Sequence, residues 1–284
     1  MSGLTQEAAR ALLAEPSLIT VGARGDDERR RRHGARTTFV RVLEVRGQGL
    51  PAALAAAAKP GEVRITGHPD SVESAEAAVR AARALAGAIP VTGYSLADLF
   101  DLAGGSIAAF ADVLRRLASA GLDVVAEAPI DRLADPAAAI RAAREAGLQV
   151  PRLTVHRVPE GGALEIVGKA REVQAAVGGV RVFAPLARIS SVAQPSTGYD
   201  DVRLIALARL VVDNIDSIQV DWSLYGPKLA QFALTVGADD VDGVSALEGD
   251  LGRRRSPLEE IRGNIRAAAL EPMERDGFFR HLGQ

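Results

Sequence analysis

Short runs of aliphatic and β-branched residues alternate along this chain with longer, alanine-rich stretches in which apolar residues recur at helical spacing. Runs of the first kind are typical of buried strands, and stretches of the second kind are typical of amphipathic helices. The pattern predicts eight strands, at residues 37–45, 62–67, 89–93, 123–126, 152–158, 180–186, 217–222 and 239–242. The eighth run also suits a loop, because three of its four residues are aspartates.

Capping residues mark where the helices between these strands begin and end. Two predicted helices, 71–86 and 106–120, each start at a serine suited to N-capping and are followed by a glycine. Asp135-Pro136 opens a third helix, which Gly147 ends. Further helices are predicted at residues 5–15, 50–58, 200–216, 226–236 and 256–270.

Eight strand–helix units in a chain of 284 residues fit a (β/α)8 TIM barrel, complete or nearly closed. A doubly wound open sheet is the alternative, because it shows the same alternation of strands and helices. No linker rich in proline, glycine and serine divides the chain. We therefore predict one barrel domain over residues 1–284, with an N-terminal helical extension at 1–35 and a C-terminal tail and helix at 244–284.

The composition is that of an ordinary soluble protein, with 48% hydrophobic residues, 25% charged residues and a net charge of −2. This near-neutral balance does not favour binding to nucleic acid. No apolar run approaches the length of about 18 residues that a membrane span needs. The first 20 residues lack a basic start followed by an apolar run, so we expect no signal peptide and a cytoplasmic location.

The chain contains no cysteine. Its absence excludes disulfides, thiolate nucleophiles, zinc–thiolate sites and cysteine-held clusters within this sequence. No GxSxG, P-loop or strand-following GxGxxG motif is present, and no HxxxH or Glu-x-x-His pattern suggests a metal site. We therefore predict no bound metal and assign no catalytic residue.

Two runs in the C-terminal part of the chain carry a family resemblance: GPKLAQ at residues 226–231 and GADDVDG at residues 237–243. With the rest of residues 180–243 they resemble the radical S-adenosylmethionine (SAM) enzymes of the futalosine route to menaquinone, the aminodeoxyfutalosine synthases in particular. The cyclisation enzyme of that route and the deazaflavin (FO) synthases are more distant. Weaker similarity at residues 29–40, 62–70 and 256–279 extends the resemblance over most of the chain and implies a barrel of the radical-SAM type.

The resemblance fails at the residues that carry the radical chemistry. In the family, a long loop after the first strand carries CxxxCxxC, whose three thiolates hold a 4Fe–4S cluster that chelates SAM. Here the first predicted strand is followed by Arg46-Gly47-Gln48-Gly49 and then by a predicted helix. His33 and His68 are the nearest imidazoles, and two lone histidines do not make a cluster site. We therefore expect no cluster cofactor and weak or no binding of SAM.

The mouth at the carboxyl ends of the strands is where barrels place their functional residues. Several polar or aromatic side chains near predicted strand ends are candidates for ligand binding there. They are His68, Tyr94, Glu127, His156, Arg157, Arg188, Asp221 and Trp222. Each has a structural alternative: Trp222 could stack on a planar ligand or simply pack, and His156 could be a satisfied core histidine.

Three functions are consistent with these observations. The first is a non-catalytic partner or scaffold subunit in menaquinone biosynthesis, one form of which is a heterodimer with a cluster-containing paralogue. The second is an enzyme that uses the mouth for non-radical chemistry, a lyase or transferase step on a chorismate-derived or nucleoside substrate. The third is a sensor or carrier of a small molecule. The partner role ranks first, because the mouth has diverged from the family while the scaffold has not.

Overall fold

The computed structural model describes residues 6–46, 58–189, 197–247 and 257–283. Strands β1 to β9 in these ranges are Arg36–Val45, Glu62–Ile65, Val91–Ser95, Val124–Pro129, Arg152–Val155, Val182–Ala187, Ser217–Asp221, Asp240–Ser245 and Glu271–Glu274. Helices α1 to α10 are Gln6–Ala14, Leu18–His33, Val72–Ala86, Leu96–Leu102, Ile107–Ala120, Pro136–Glu145, Ala163–Val177, Gly198–Val211, Trp222–Leu234 and Pro257–Ala267. No helix among the described residues is long and apolar enough to cross a membrane.

The first eight strands form a closed parallel barrel. Each strand from β2 to β7 pairs with the next one in the sequence, and β1 closes the ring by pairing with both β8 and β2. All eight predicted strands are present, including the aspartate-rich eighth one, and the predicted (β/α)8 barrel is confirmed. The open-sheet alternative is wrong, because an open sheet would leave β1 or β2 without one of these partners.

A ninth strand, which the sequence pattern did not predict, lies beside the beginning of β1. Strand β9 pairs in parallel with Arg36–Phe39, whereas β2 pairs with the later residues 42–45 of the same strand. β9 therefore fills the edge of β1 that β2 does not reach, at the amino end of the barrel. Its short sequence, EPME, has no alternation of apolar and polar residues, which explains why the pattern missed it.

The helix starts follow the capping chemistry that the sequence indicates. Ser71, Ser106 and Asp135 each accept a hydrogen bond from a backbone amide in the first turn of the helix that follows. Helices α4 and α7, which were not predicted, complete the ring around the strands. Of the predicted helix 50–58, only Ala58 lies within the described residues, and it is helical.

Gly226 corrects a predicted helix boundary. The sequence places the start of a helix at this glycine, but α9 already begins at Trp222, where Asp221 caps it. Gly226 instead lies at a kink inside α9, with φ of 74° and ψ of 168°, immediately before Pro227. The kink has a clear cause, since a proline cannot donate the helical hydrogen bond that would continue the first turn.

The barrel has an apolar outer core and a polar lumen. The outer core lies between the strands and the helices and includes Leu153 and Val155 of β5. Because side chains alternate between the two faces of a strand, Arg152, Thr154 and the following His156 face the lumen. This division places a row of polar side chains inside the ring of strands, where the candidate site lies.

Candidate functional site

Asp242 of β8 is the centre of a buried charge cluster in the lumen. Its carboxylate accepts two hydrogen bonds from Arg64 of β2, at 2.8 and 3.1 Å. Arg152 Nη1 lies 2.5 Å from Asp242 Oδ2 as an ion pair without hydrogen-bond alignment. Arg64 Nε also donates to Glu62 at 2.6 Å. Since β6 and β7 separate β5 from β8, Arg152 reaches Asp242 across the lumen.

Nearby carboxylates offset the effect of burial on the pKa of Arg64, but not on that of Arg152. Burial alone would raise the pKa of Asp242, but Arg152 and Arg64 outweigh it and hold that pKa well below its usual range. Burial would lower the pKa of Arg64, yet Asp242 and Glu62 together raise it. For Arg152 burial prevails over Asp242, and its pKa is lowered. The carboxylates of the cluster therefore stabilise the charged form of Arg152 less than that of Arg64.

A second cluster lies above the first, at the carboxyl ends of β4, β6 and β7. Arg188 Nε lies 2.7 Å from Glu127 Oε1, and Arg188 Nη2 lies 3.2 Å from Asp221 Oδ2. His156 Nε2 lies 3.4 Å from the other oxygen of Glu127. The structure therefore brings four of the predicted mouth residues into contact: Glu127, His156, Arg188 and Asp221.

Each charge of this upper cluster is held in place by its surroundings. Burial would raise the pKa of Glu127, but the positive field of Arg188, with smaller contributions from His156 and Arg152, lowers it. Asp221 also caps α9, accepting from the amides of Ser223 and Leu224 at 2.9 and 3.1 Å. Glu127, Arg188 and Asp221 therefore form a continuous set of ion pairs, and His156 contacts Glu127 beside it.

The loop after β5 is shaped by a carboxylate that sequence reasoning did not single out. Asp131 accepts hydrogen bonds from the backbone amides of His156 and Arg157, at 2.8 and 2.9 Å. These two contacts fix the direction in which the chain leaves β5. As a result His156 stays in the lumen, whereas the side chain of Arg157 is exposed.

The remaining predicted site residues lie away from the two clusters. Tyr94 has a positive φ of 60°, and its hydroxyl donates to the carbonyl of Ala75 in α3, where burial raises its pKa to about 12. His68 is exposed in the loop after β2, with Nδ1 2.9 Å from the carbonyl of Pro69. Trp222 is half-buried at the start of α9 and packs against the outer core.

The inner face of β5 carries buried polar atoms without hydrogen-bond partners. They are Nε of Arg152, Oγ1 of Thr154 and Nδ1 of His156, and all three residues are less than 9% exposed. Buried polar groups are satisfied in the great majority of cases, so three successive exceptions on one strand face are unusual. They mark β5 as the part of the lumen with unused hydrogen-bonding capacity.

A third cluster closes the amino end of the lumen. Asp240 of β8 accepts from Nε and Nη2 of Arg275 at 2.6 and 2.7 Å, and from Gln219 of β7 at 2.6 Å. Thr38 of β1 donates to the same carboxylate. Arg275 follows β9, so the tail of the chain supplies the side chain that fills this end of the barrel.

Alternation along the strands was the signal that would have revealed the lumen clusters. Glu62 and Arg64 are two residues apart in one predicted strand, and Asp240 and Asp242 are two apart in another. Charged residues at this spacing inside a barrel strand point to the same face. The sequence analysis considered strand ends alone, and so it missed these four residues together with Arg152.

The donor set does not fit a cluster held by three thiolates, because the chain has no cysteine. Among the described residues, no group of three histidine, aspartate or glutamate side chains is placed to hold a metal ion. Of the four residues that follow β1, Arg46 is described and exposed, and Gly47, Gln48 and Gly49 lie outside the described residues.

Comparison with known proteins confirms the family resemblance. Residues 182–281 match the family described as the CofH/MqnC C-terminal region. The chain is 28% identical over 227 residues to the aminodeoxyfutalosine synthase of Thermus thermophilus, an alignment that covers 68% of this chain and 61% of that protein. It is 32% identical over 161 residues to the aminodeoxyfutalosine synthase of Streptomyces coelicolor, covering 48% of this chain and 41% of the relative. The chain thus spans about three fifths or less of the length of these relatives.

Solved structures confirm the fold at low sequence identity. The FeFe-hydrogenase maturase HydG from Carboxydothermus hydrogenoformans superposes with a TM-score of 0.67 at 11% identity, covering 98% of this chain and 78% of that chain. Methylornithine synthase (PylB) superposes with a TM-score of 0.63 at 14% identity, covering 95% and 94%. The chain therefore has the (β/α)8 barrel fold of these structures, and its sequence is similar to those of the aminodeoxyfutalosine synthases.

Proposed function

We propose that this chain, a barrel relative of the aminodeoxyfutalosine synthases through its CofH/MqnC C-terminal region, is a non-catalytic partner or scaffold subunit associated with menaquinone biosynthesis. One observation carries the proposal: the mouth and lumen hold arginine–carboxylate pairs, and the chain offers no thiolate to a cluster. A partner drawn from the same pathway, such as a cluster-containing paralogue, would supply the chemistry.

The charge pairing in the lumen supports this role. An active site keeps hydrogen-bonding groups ready for substrate, whereas Arg64, Arg188 and Asp242 each already bind charged side chains within the chain. Separating a buried ion pair to admit a ligand exposes an uncompensated charge, which costs several kcal/mol. A barrel whose interior is occupied in this way retains its outer surface for binding other proteins.

A second candidate is a sensor or a non-radical enzyme that binds a small molecule in the lumen. The unpartnered atoms of Arg152, Thr154 and His156 favour it, because a ligand with a carboxylate and a hydroxyl group could satisfy them. The contact between His156 and Glu127 also resembles a base with an orienting carboxylate. This candidate ranks second, since a ligand there would have to displace the ion pairs around it.

Purification of the tagged chain from its native host, without oxygen, tests the proposal. We expect a pathway enzyme to co-purify in a fixed ratio and the isolated chain to stay colourless after reconstitution with iron and sulfide. A stoichiometric cluster that cleaves SAM to 5′-deoxyadenosine would contradict the proposal. So would a chain that purifies alone with a small molecule of defined mass.

Titration with SAM separates the two candidates further. We expect no heat of binding at micromolar SAM, because Arg188 and Arg152 occupy the lumen and the chain has no cysteine to hold a cluster that would chelate the cofactor. Micromolar binding would favour the sensor or enzyme. The Arg152→Met variant is the control for this titration, because it removes one positive charge from the lumen and adds no hydrogen-bond donor.

A further inference from the structure

A cleft of about 740 Å³ opens beside the barrel mouth, outside the ring of strands. We call it the side cleft. Its walls come from helices α1, α7, α8 and α9 and from the chain that leaves β5 and β6. The volume is within the range of small-molecule sites. It is separate from the lumen clusters and shares with them only Arg188.

The side cleft is rich in guanidinium groups that lack carboxylate partners. Arg157 is exposed, and its side chain makes no hydrogen bond or ion pair among the residues that the structure describes. Arg203 is held by the carbonyls of Leu13 and Glu15, so its charge is likewise not matched by a carboxylate within the described chain. Arg188 also lines the inner wall, but its charge is matched by Glu127 and Asp221 of the lumen.

The carboxylates of the side cleft are already engaged. Asp200 accepts from the amide and the hydroxyl of Thr197, at 3.1 and 2.7 Å, as part of the cap of α8. Glu160 and Asp201 also line the cleft, and both have interaction partners. Among the described charged groups of the cleft, the three carboxylates thus already have partners, whereas the guanidinium of Arg157 has none.

Two further features complete the surroundings of Arg157. Helix α7 begins at Ala163 on the cleft wall, and no side chain caps its first turn. The amides of that turn carry the positive end of the helix dipole. Leu204 and Leu224 also line the cleft as an apolar wall, and Leu224 is 48% exposed.

We infer that the side cleft binds a small amphipathic molecule with an oxyanion head. The head, a phosphate or a carboxylate, contacts Arg157 and the start of α7, where charge-assisted hydrogen bonds are strongest. The apolar body lies against Leu204 and Leu224. The inference goes beyond the partner role, and it stands or fails independently of whether the lumen binds a ligand.

Calorimetric titration of the full chain with hexyl phosphate, hexanoate and inorganic phosphate tests the inference. We expect hexyl phosphate to bind at least tenfold more tightly than inorganic phosphate, because only the first covers the apolar wall. The comparison of hexyl phosphate with hexanoate tells which head the cleft prefers. No binding of either hexyl compound at millimolar concentration would overturn the inference, and so would equal affinity for hexyl phosphate and inorganic phosphate.

Two variants place the binding at the cleft. Arg157→Gln removes the unpaired charge, and we expect a loss of affinity of about tenfold, the effect of one charge-assisted hydrogen bond. Leu224→Glu adds a carboxylate to the wall in the first turn of α9, where a glutamate suits the helix, and should also weaken binding. Arg141→Gln, on the exposed face of α6, is the matched control. An equal loss in the control, or none in Arg157→Gln, would contradict the assignment.

Discussion

Asp242 is the carboxylate shared by two buried guanidinium groups of the lumen. It binds Arg64 through both oxygens and pairs with Arg152 across the barrel. We expect Asp242→Asn to lower the free energy of unfolding by about 3–5 kcal/mol, because it leaves two buried guanidinium groups without their shared partner. Urea denaturation followed by circular dichroism measures this loss.

Asp112→Asn is the matched control for that variant. Asp112 pairs with Arg115 at 3.4 Å, but both side chains are about 60% exposed. Exposed pairs contribute between about 0 and 1 kcal/mol, so the control should change stability little. A loss in Asp242→Asn as small as in the control would show that the lumen cluster contributes nothing to stability.

Two threonines of the lumen differ in whether their hydroxyl groups make a hydrogen bond. Thr92 donates to Glu62, whereas Thr154 Oγ1 is buried without a partner. We expect Thr154→Val to be neutral or stabilising by up to about 1 kcal/mol, and Thr92→Val to destabilise by about 1–3 kcal/mol. Thermal unfolding of the two variants gives the comparison. A large loss in Thr154→Val would indicate a bound group that the hydroxyl serves.

At the residue scale, position in a strand could be predicted and side-chain partnership could not. Glu127 lies in the second half of β4, Arg188 follows β6 and Asp221 ends β7, so the barrel topology brings all three to the mouth. Tyr94 also lies near the end of a strand, but its positive φ turns the side chain towards α3. Such a backbone conformation is uncommon for a residue other than glycine, and no sequence signal announces it.

At the scale of the element, the kink in α9 is the feature that depends most on one residue. Gly226 has φ of 74° and ψ of 168°, a region that only glycine occupies without strain. We expect Gly226→Ala to destabilise the protein by about 1–3 kcal/mol. Gly168→Ala in the middle of α7, where an added Cβ meets no atom within 4 Å, should instead stabilise by about 0.5–1 kcal/mol.

Denaturation curves for both glycine variants test whether the first change lowers the free energy of unfolding and the second raises it. If Gly226→Ala were neutral, the first turn of α9 would have to adopt another conformation without cost. The variant also has a structural readout, because a straightened α9 would move Leu224 at the side cleft.

The observed boundaries of the helices and strands show which signals in the sequence were sufficient to locate them. Capping residues located the starts of α3, α5 and α6 to within a residue, since the cap is a local interaction. Helix α4 was missed because it begins directly after β3, with Ser95 serving as both strand end and cap. β9 was missed because its pairing with β1 is decided by tertiary contacts rather than by its own sequence.

At the scale of the whole molecule, the buried carboxylates make stability depend on pH. The pKa values of Asp242 and Glu127 are lower in the folded chain than the usual values of about 4 that they regain on unfolding. The unfolded chain therefore binds more protons in this range, and stability is present above about pH 4 and lost as the pH falls below it. Unfolding free energies measured between pH 7 and 3 should decline most below pH 4.

The Asp242→Asn variant provides the comparison for this pH profile. Because it lacks the carboxylate with the more strongly lowered pKa, its stability should fall less steeply on acidification than that of the unaltered chain. Parallel profiles would show that other carboxylates dominate the acid response.

The position of β1 has a consequence for the order in which the barrel is made. This strand is among the first described parts of the chain, yet its partners include β8 and β9, which are synthesised near the end of the described sequence. During synthesis on the ribosome, the two long edges of β1 cannot both be paired until the residues of β8 and β9 have emerged. Ring closure must therefore wait for late translation, and the nascent chain carries an open strand edge until then, a state that chaperones protect from self-association.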